Sequence, residues 1–277
     1  MLEKKNIIAN LIQIYSLTIK DIKLKTRYKI EFISEFIAPL LTLFFPFIIF
    51  NKLFNLDKNF FGTYYSKQNF LLFILLGYCV TCLIFLLWNY KDLFYDEKTW
   101  KTLNAIIIAP VRRINILIGY LLSGIIAKLV PISFIIVICY LLFPIPLINL
   151  FYVCIVLLCL SITFAGIGFM LGVFEIVNED ISATLAVGVS FISLVSCLYF
   201  PITIFPSSIQ FLILMNPLYY YFDLLRLSWW AGINSNEALR YITIYHIIFV
   251  SVCTVLSPLF GSYLFLRIYK KYGTSGY

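Results

Sequence analysis

Side chains that could support catalysis are sparse in this sequence. It contains a single histidine, His246, in an apolar stretch, so a site that needs several imidazoles cannot be built. The phosphate-binding pattern GxxxxGK[ST], the dinucleotide pattern GxGxxG and the hydrolase patterns HExxH and GxSxG are all absent. We therefore expect no catalytic or ATP-hydrolysing site in this chain. We expect His246 to be packed or hydrogen-bonded, with a functional role as the alternative.

The cysteines do not form a ligand pattern. All seven lie in apolar runs, where a free thiol behaves as a small hydrophobic group. Cys79 and Cys82 are spaced as CxxC, but no second pair and no histidine cluster completes a zinc site. We expect this chain to bind no metal ion and no cofactor.

One charged residue stands inside a long apolar run. Lys128 would cost on the order of 2.5–3.5 kcal/mol at the centre of a membrane helix, so its ammonium must face protein or water. Three roles fit this residue. It binds a substrate headgroup, it forms a structural salt bridge, or it snorkels to the membrane interface.

Aromatic side chains cluster further along the chain. They fit the belt of aromatic residues found at membrane–water interfaces. Alternatively, they stack on sugars or ring-containing substrates where these leave the pathway. The cluster consists of Tyr219, Tyr220, Tyr221 and Phe222, with Trp229 and Trp230 downstream.

These residues are embedded in a chain suited to a lipid environment. Apolar residues make up 62% of the sequence and charged residues 12%, unlike an ordinary soluble domain. Because about 20 apolar residues cross the hydrocarbon of a bilayer, the long apolar runs can be counted as spans. The sequence predicts an all-α integral membrane protein, one domain over 1–277, with about six transmembrane helices at 33–54, 69–90, 117–143, 149–174, 182–204 and 242–266.

Two segments rich in helix-breaking residues connect these spans. Pro144-Ile145-Pro146 predicts a tight turn between the third and fourth spans. Residues 205–232 contain Pro206 and Asn216-Pro217, and we expect no further crossing within them, because it would move the basic C-terminal tail to the outer side. We expect them to form a broken, re-entrant outer segment, which is tolerated where protein or water satisfies its backbone.

The N-terminal residues 1–31 predict an amphipathic helix in the cytoplasmic interface, suited to anionic lipid. No cleaved signal peptide is expected there.

Lys and Arg concentrate on the side of both termini, so we place the termini in the cytoplasm and the protein in the cell membrane. This distribution also explains the net charge of +8 without nucleic acid. The apolar stripe of the helix is Ile8, Leu11, Ile12, Tyr15, Ile19 and Ile22.

Two predicted inner loops carry charges. The loop 91–113 has both signs, which suits either docking to a soluble partner or an ordinary solvated loop; its central residues are Asp96, Glu97, Lys98, Thr99 and Trp100. The loop after the fourth span either forms a second contact with that partner or pairs internally with Arg112 and Arg113. Its acidic residues are Glu175, Glu179 and Asp180.

In their order along the chain, these features resemble the permeases of ABC-2 type exporters, particularly the branch of daunorubicin-type drug exporters and lipo-oligosaccharide exporters. The resemblance covers nearly the whole chain. It rests on the basic N-terminal helix with Ala38-Pro39, on Glu97…Thr102-Leu103…Ala109-Pro110-Val111-Arg112-Arg113, and on Phe205-Pro206-Ser207-Ser208-Ile209-Gln210…Asn216-Pro217-Leu218…Asp223…Arg226.

The resemblance implies roles for three segments. Residues 91–104 look like the coupling helix that rests in a groove of a separate ATPase subunit, which binds ATP and Mg. Residues 205–232 resemble the re-entrant helices that cap the pathway, and the N-terminal helix would also touch the ATPase. The loop departs from the family's Glu followed by Gly-Thr-Leu-Glu, because Lys101 replaces the glycine and Asn104 the second acid.

We therefore expect a permease subunit that is not itself an enzyme. Symmetry suggests a homodimer with two ATPase subunits. Spans one, two and five of the two copies would line a path for an amphipathic or lipid-linked substrate, such as a drug, glycolipid or polysaccharide, moving outward. A stand-alone channel or secondary transporter is the alternative, favoured by Lys128 as a charge inside the membrane.

Overall fold

The computed structural model describes residues 2–56, 67–99, 111–177, 181–234 and 241–272. Throughout these parts the chain is helical, without β-strands, which confirms the predicted all-α fold. In chain order the elements are α1 (Leu2–Arg27), α2 (Lys29–Leu56), α3 (Lys67–Thr99), α4 (Arg113–Leu142), α5 (Leu147–Val177), α6 (Ser182–Val195), a 3-10 turn (Ile202–Ile204), α7 (Ser207–Met215), α8 (Pro217–Ile233) and α9 (Ile244–Tyr272).

Four helices of the described chain are long and apolar enough to cross a membrane, against about six predicted crossings. Two predicted spans correspond to shorter apolar segments, Ile33–Ile49 in α2 and Ser182–Val195. The second of these has 14 residues and is about 21 Å long, less than the ~30 Å of bilayer hydrocarbon. The four long segments are Phe70–Asp92, Ile114–Leu142, Leu147–Glu175 and Ile244–Arg267.

Helix α3 extends beyond the predicted end of the second span. The sequence placed that end at residue 90, but the helix continues to Thr99 and contains 33 residues, a length of about 50 Å. Lys91 and Asp92 end the apolar run without ending the helix, because Lys91 is paired inside the protein. Residues 91–99 of the predicted loop are therefore helical, and 100–110 lie outside the described residues.

Helix α5 lies at the centre of the bundle, between α3 and α9. Its sequence places small residues on both sides, and each allows a neighbouring backbone to come close. A Cβ on Gly172 would lie 2.6 Å from the carbonyl oxygen of Lys91, and one on Gly168 would lie 2.7 Å from that of Leu87. On the opposite side, a Cβ on Gly166 would overlap the Ser257–Pro258 peptide of α9. Close backbone packing of this kind drives helix association in lipid.

Helix α1 packs along the first half of α4 through polar contacts. The Asn115 amide donates to Gln13 Oε1 at 2.8 Å, and Ser123 Oγ donates to Asp21 Oδ2 at 2.6 Å. Gly119 lies between them and makes room for Leu17. Most of the predicted apolar stripe of α1 points away from the protein, with Ile8, Leu11, Ile12 and Tyr15 all more than half exposed.

The glycine contacts of α5 give a first prediction. Gly166→Val should lower the free energy of unfolding by about 1–3 kcal/mol, because the added side chain forces α9 away. Gly188→Ala is the matched control, since a Cβ there meets nothing within 4 Å, and it should leave stability unchanged or slightly raised. Thermal unfolding of the purified protein in detergent measures both. Equal effects of the two substitutions would show that close α5–α9 packing does not limit stability.

Candidate functional site

A buried ion pair joins α2 to α4. Lys128 Nζ lies 3.0 Å from Glu35 Oε2, and the lysine side chain is 1% exposed. Asn89 of α3 donates to Glu35 Oε1 at 3.4 Å, and the Phe85 ring centre lies 5.9 Å from the ammonium. The ammonium makes no hydrogen bond of good geometry with the described residues, so charge attraction holds the contact. This geometry is that of a structural salt bridge.

A second buried cation lies where α3, α5 and α6 meet. Lys91 Nζ donates to Glu175 Oε1 and Oε2 at 3.2 and 3.0 Å and to Ser182 Oγ at 3.0 Å. Lys91 also contacts Asp92, which is half exposed, at 2.8 Å. The carboxylate of Glu175 is thus occupied inside the protein, with Lys91 as its partner.

Helices α7 and α8 form a hairpin with its turn at Asn216-Pro217. Asn216 donates to Ser196 Oγ at 2.7 Å and to Ile192 O at 3.2 Å, which fixes the turn against the end of α6. Its Oδ1 accepts from the Leu218 amide and caps α8, and Pro217 occupies the first helical position.

The other end of α8 packs beneath the turn between α4 and α5. Trp229 Nε1 donates to Phe143 O, and Asn149 Nδ2 donates to Ser228 O, both at 3.2 Å. Gly232 approaches Ile145 so closely that a Cβ there would lie 2.7 Å from the isoleucine side chain. The hairpin is therefore anchored at both ends by the bundle.

Arg226 stabilises the irregular backbone that follows α6. Its Nη1 and Nη2 donate to the carbonyl oxygens of Cys197 and Leu198 at 3.0 and 2.9 Å. The guanidinium also stacks 3.5 Å from the centre of the Phe73 ring. Cys197 has a φ of 59°, a left-handed conformation that is costly for a residue other than glycine. The planar, two-pronged guanidinium suits this double contact in a way that a lysine does not.

The tyrosines considered as substrate contacts are buried. Tyr221 is fully buried, and its hydroxyl donates to Val250 O at 2.8 Å and contacts the hydroxyls of Thr163 and Thr254. Tyr220 donates to Leu214 O, and Tyr219 is 9% exposed. Tyr220 stacks on Phe249 of α9, and Tyr221 packs α8 between Thr163 of α5 and Thr254 of α9, so these tyrosines contribute to the packing of the hairpin.

His246 forms part of the cap at the start of α9. The Thr243 amide donates to His246 Nδ1 at 3.2 Å, so Nδ1 carries no proton, and the Nε2–H faces Asp223 Oδ2 at 3.1 Å. The imidazole thus takes the place of the carboxylate or amide that reaches back to the N-cap amide in a capping box, while the Thr243 hydroxyl also contacts Nδ1 at 2.8 Å. This arrangement agrees with the expectation of a hydrogen-bonded histidine and ties α9 to α8. No sequence pattern predicts that Asp223 is the partner of His246.

An apolar cleft of about 930 Å³ opens between α5, α6, α7 and α9. Two of its polar residues are bonded within the protein, Thr163 to Tyr221 and Asn216 to α6. The hydroxyl of Ser257 is buried without a partner among the described residues. The cleft therefore offers an incoming molecule almost only hydrocarbon contacts. Among the residues that the structure describes, no group of His, Cys, Asp and Glu could hold a metal ion.

A family model described as ABC-2 type transporter matches residues 12–230. The chain belongs to the ABC-2 type transporter family. It is therefore the permease component of an ABC transporter, a multi-pass membrane protein and a transport subunit that is not itself catalytic. In this family a separate subunit hydrolyses ATP. A comparison with curated proteins gave no match.

The match spans two of the three segments on which the sequence resemblance rested, 97–113 and 205–226, and it begins within the third, the N-terminal helix. In this ABC-2 permease Asp96, Glu97, Lys98 and Thr99 form the last residues of α3. Other residues predicted to contact a partner lie outside the described parts of the chain; they are Trp100, Glu179 and Asp180.

The Lys128–Glu35 pair in the permease should show strong coupling. Lys128→Met alone leaves a carboxylate without its cation and should lower stability by about 3–5 kcal/mol. The double variant Lys128→Met/Glu35→Gln should recover about 0.5–3 kcal/mol relative to the sum of the single effects. A double-mutant cycle of unfolding free energies in detergent tests this, and simple additivity would show that the pair contributes nothing.

The double contact of Arg226 in the permease gives another prediction. Arg226→Lys cannot reach both carbonyl groups and should lower stability by about 1–3 kcal/mol, the cost of a buried group left unsatisfied. Arg112→Lys, at an exposed position, is the matched control and should be neutral. Thermal unfolding compares the two, and an unaffected Arg226→Lys variant would contradict the stabilising role.

Proposed function

We propose that two copies of this permease assemble with two ATPase subunits to export an amphipathic or lipid-linked substrate. The observation that carries the proposal is the family match over 12–230, read together with the length of α3. A helix about 50 Å long exceeds the hydrocarbon by roughly 20 Å, so one end must project from the membrane. The projecting end carries Asp96–Thr99, where the coupling helix is expected.

We place the chain in the cell membrane with about six crossings and both termini in the cytoplasm. The second, third, fourth and sixth crossings are the four long apolar helices, and α2 supplies the first. The fifth is α6 together with the irregular residues that follow it. On this view the α7–α8 hairpin is re-entrant, since its turn lies beside the end of the short α6 and its base lies beside the α4–α5 turn.

The exposed faces of α2 and α6 support a homodimer with a pathway between the copies. Along α2, Leu40, Phe44 and Phe45 are more than half exposed, although they lie in a helix that contacts α3 on its other side. On α6, Val187 is 70% and Phe191 is 67% exposed. Together with α3, these helices would line the route of the substrate.

The apolar cleft and the pairing of Lys128 bear on the choice of substrate and mechanism. A cleft lined almost wholly by hydrocarbon favours a substrate with an apolar portion, as drugs, glycolipids and lipid-linked polysaccharides have. Lys128, as a charge inside the membrane, favoured a stand-alone channel or secondary transporter. The family match favours the ATP-driven exporter instead, and the contact with Glu35 gives Lys128 a structural partner.

The proposal is tested through the coupling segment. Replacing Glu97–Trp100 by a Gly-Ser sequence of equal length should abolish the stimulation of ATPase activity by the permease in reconstituted vesicles, because the ATPase loses its contact. The control replaces Asn234, at the far end of α8, by Ser. Stimulation that survives the change at 97–100 would refute the coupling role. Failure of any ATPase subunit to co-purify would refute the complex itself.

A further inference from the structure

The projecting end of α3 is connected to the rest of the bundle at a defined point. Lys91 lies eight residues before Thr99, about 12 Å along the same uninterrupted helix. Its ammonium contacts residues on two other helices, Glu175 near the end of α5 and Ser182 at the start of α6. Three elements that are distant in sequence thus share one buried cation.

The backbones of α3 and α5 also approach each other closely at this level. Gly172 allows the carbonyl oxygen of Lys91 to approach, and Gly168 does the same for Leu87 one turn earlier. Lys91 and Glu175 are 4% and 3% exposed, so little water screens their attraction. Neither side chain can leave the other without a buried charge losing its partner, which is strongly unfavourable.

We propose that Lys91, Glu175 and Ser182 are the mechanical link that passes a displacement of the projecting end of α3 to α5 and α6. The inference rests on the proposed function, since it assumes that an ATPase moves that end. A helix transmits a tilt along its length as a rigid body, and the ion pair obliges α5 and the first turn of α6 to follow. Lys91 and Glu175 are positioning residues, because they act through the helices that line the route and touch no substrate.

A different result is expected if the ion pair between Lys91 and Glu175 has only a structural role. Its loss would lower stability and leave the ATP-driven movement intact in every molecule that remains folded. The test therefore compares the ATP-driven movement of variants that are folded and assembled to the same extent. Tyr90→Phe is the matched control, because it removes a buried 2.7 Å hydrogen bond from the neighbouring residue of α3 to Leu121 of α4 and leaves the contacts with α5 and α6 in place.

The experiment uses the permease–ATPase complex reconstituted in lipid vesicles. Spin labels on Val187→Cys, an exposed position of α6, report the distance between the two copies in a background in which the native cysteines are replaced. Distances are measured without nucleotide and after trapping with ATP and vanadate. Folding and assembly of each variant are checked by thermal unfolding and by co-purification of the ATPase.

In Lys91→Met/Glu175→Met, where both charges are replaced by apolar side chains of similar length, the ratio of the ATP-induced to the nucleotide-free distance population after trapping should fall at least about fivefold, the lower limit of typical coupling between sites. Tyr90→Phe should keep the full shift. Glu175→Gln is a milder second variant that retains a weaker, uncharged contact, and its loss should be smaller than that of the double variant.

A full distance change in the two Lys91 and Glu175 variants overturns the link. So does an equal loss in Tyr90→Phe, because the movement would then depend on bundle rigidity in general. If the unsubstituted complex shows no ATP-induced change, or if no ATPase co-purifies, the proposed function fails and the link fails with it. Loss confined to the Lys91 and Glu175 variants, with the ATPase still bound, supports the link.

Discussion

The bundle depends on how closely α5 approaches the helices on either side of it. In a lipid solvent, apolar side chains gain little by leaving hydrocarbon for a neighbouring helix, so association rests on tight packing and on polar contacts. Gly168 and Gly172 bring α3 against one side of α5, and Gly166 brings α9 against the other. Helices α4 and α2 pack against α3, α8 packs against α5 and α9, and α1 packs along α4.

Buried ionisable groups lie at the contacts between helices. Lys128 pairs with Glu35 across α4 and α2, and Lys91 joins α3 to α5 and α6. Arg226 satisfies two carbonyl groups where the backbone turns after α6. A charge in a low-dielectric interior fixes the position of its partner more strictly than an apolar contact does, because any displacement leaves it unsatisfied. These groups therefore fix where neighbouring helices meet.

The all-α fold and the family could be predicted from the sequence. The buried contacts of charged residues between helices could not. Apolar runs and the order of the segments around residues 97–113 and 205–226 depend on local sequence, and they led to the ABC-2 resemblance that the family match confirms. The sequence ended the second span at residue 90, where the charged residues begin, whereas the continuation of the same helix through Lys91 to Thr99 depends on a buried partner 84 positions away. Likewise Tyr219, Tyr220 and Tyr221 were considered exposed candidates, since nothing local reveals that α5 and α9 cover them.

The packing of α1 has a consequence for synthesis of the chain. Its polar side contacts α4 more than 100 residues downstream, whereas Ile8, Leu11, Ile12 and Tyr15 face outward. At roughly 5–20 residues per second, the ribosome needs on the order of 5–20 s to deliver that partner. During this interval the outward apolar stripe can hold the nascent helix on the bilayer surface with its polar side in water. The same helix thus combines an outward apolar stripe that suits a bilayer surface with a polar side that holds it along α4.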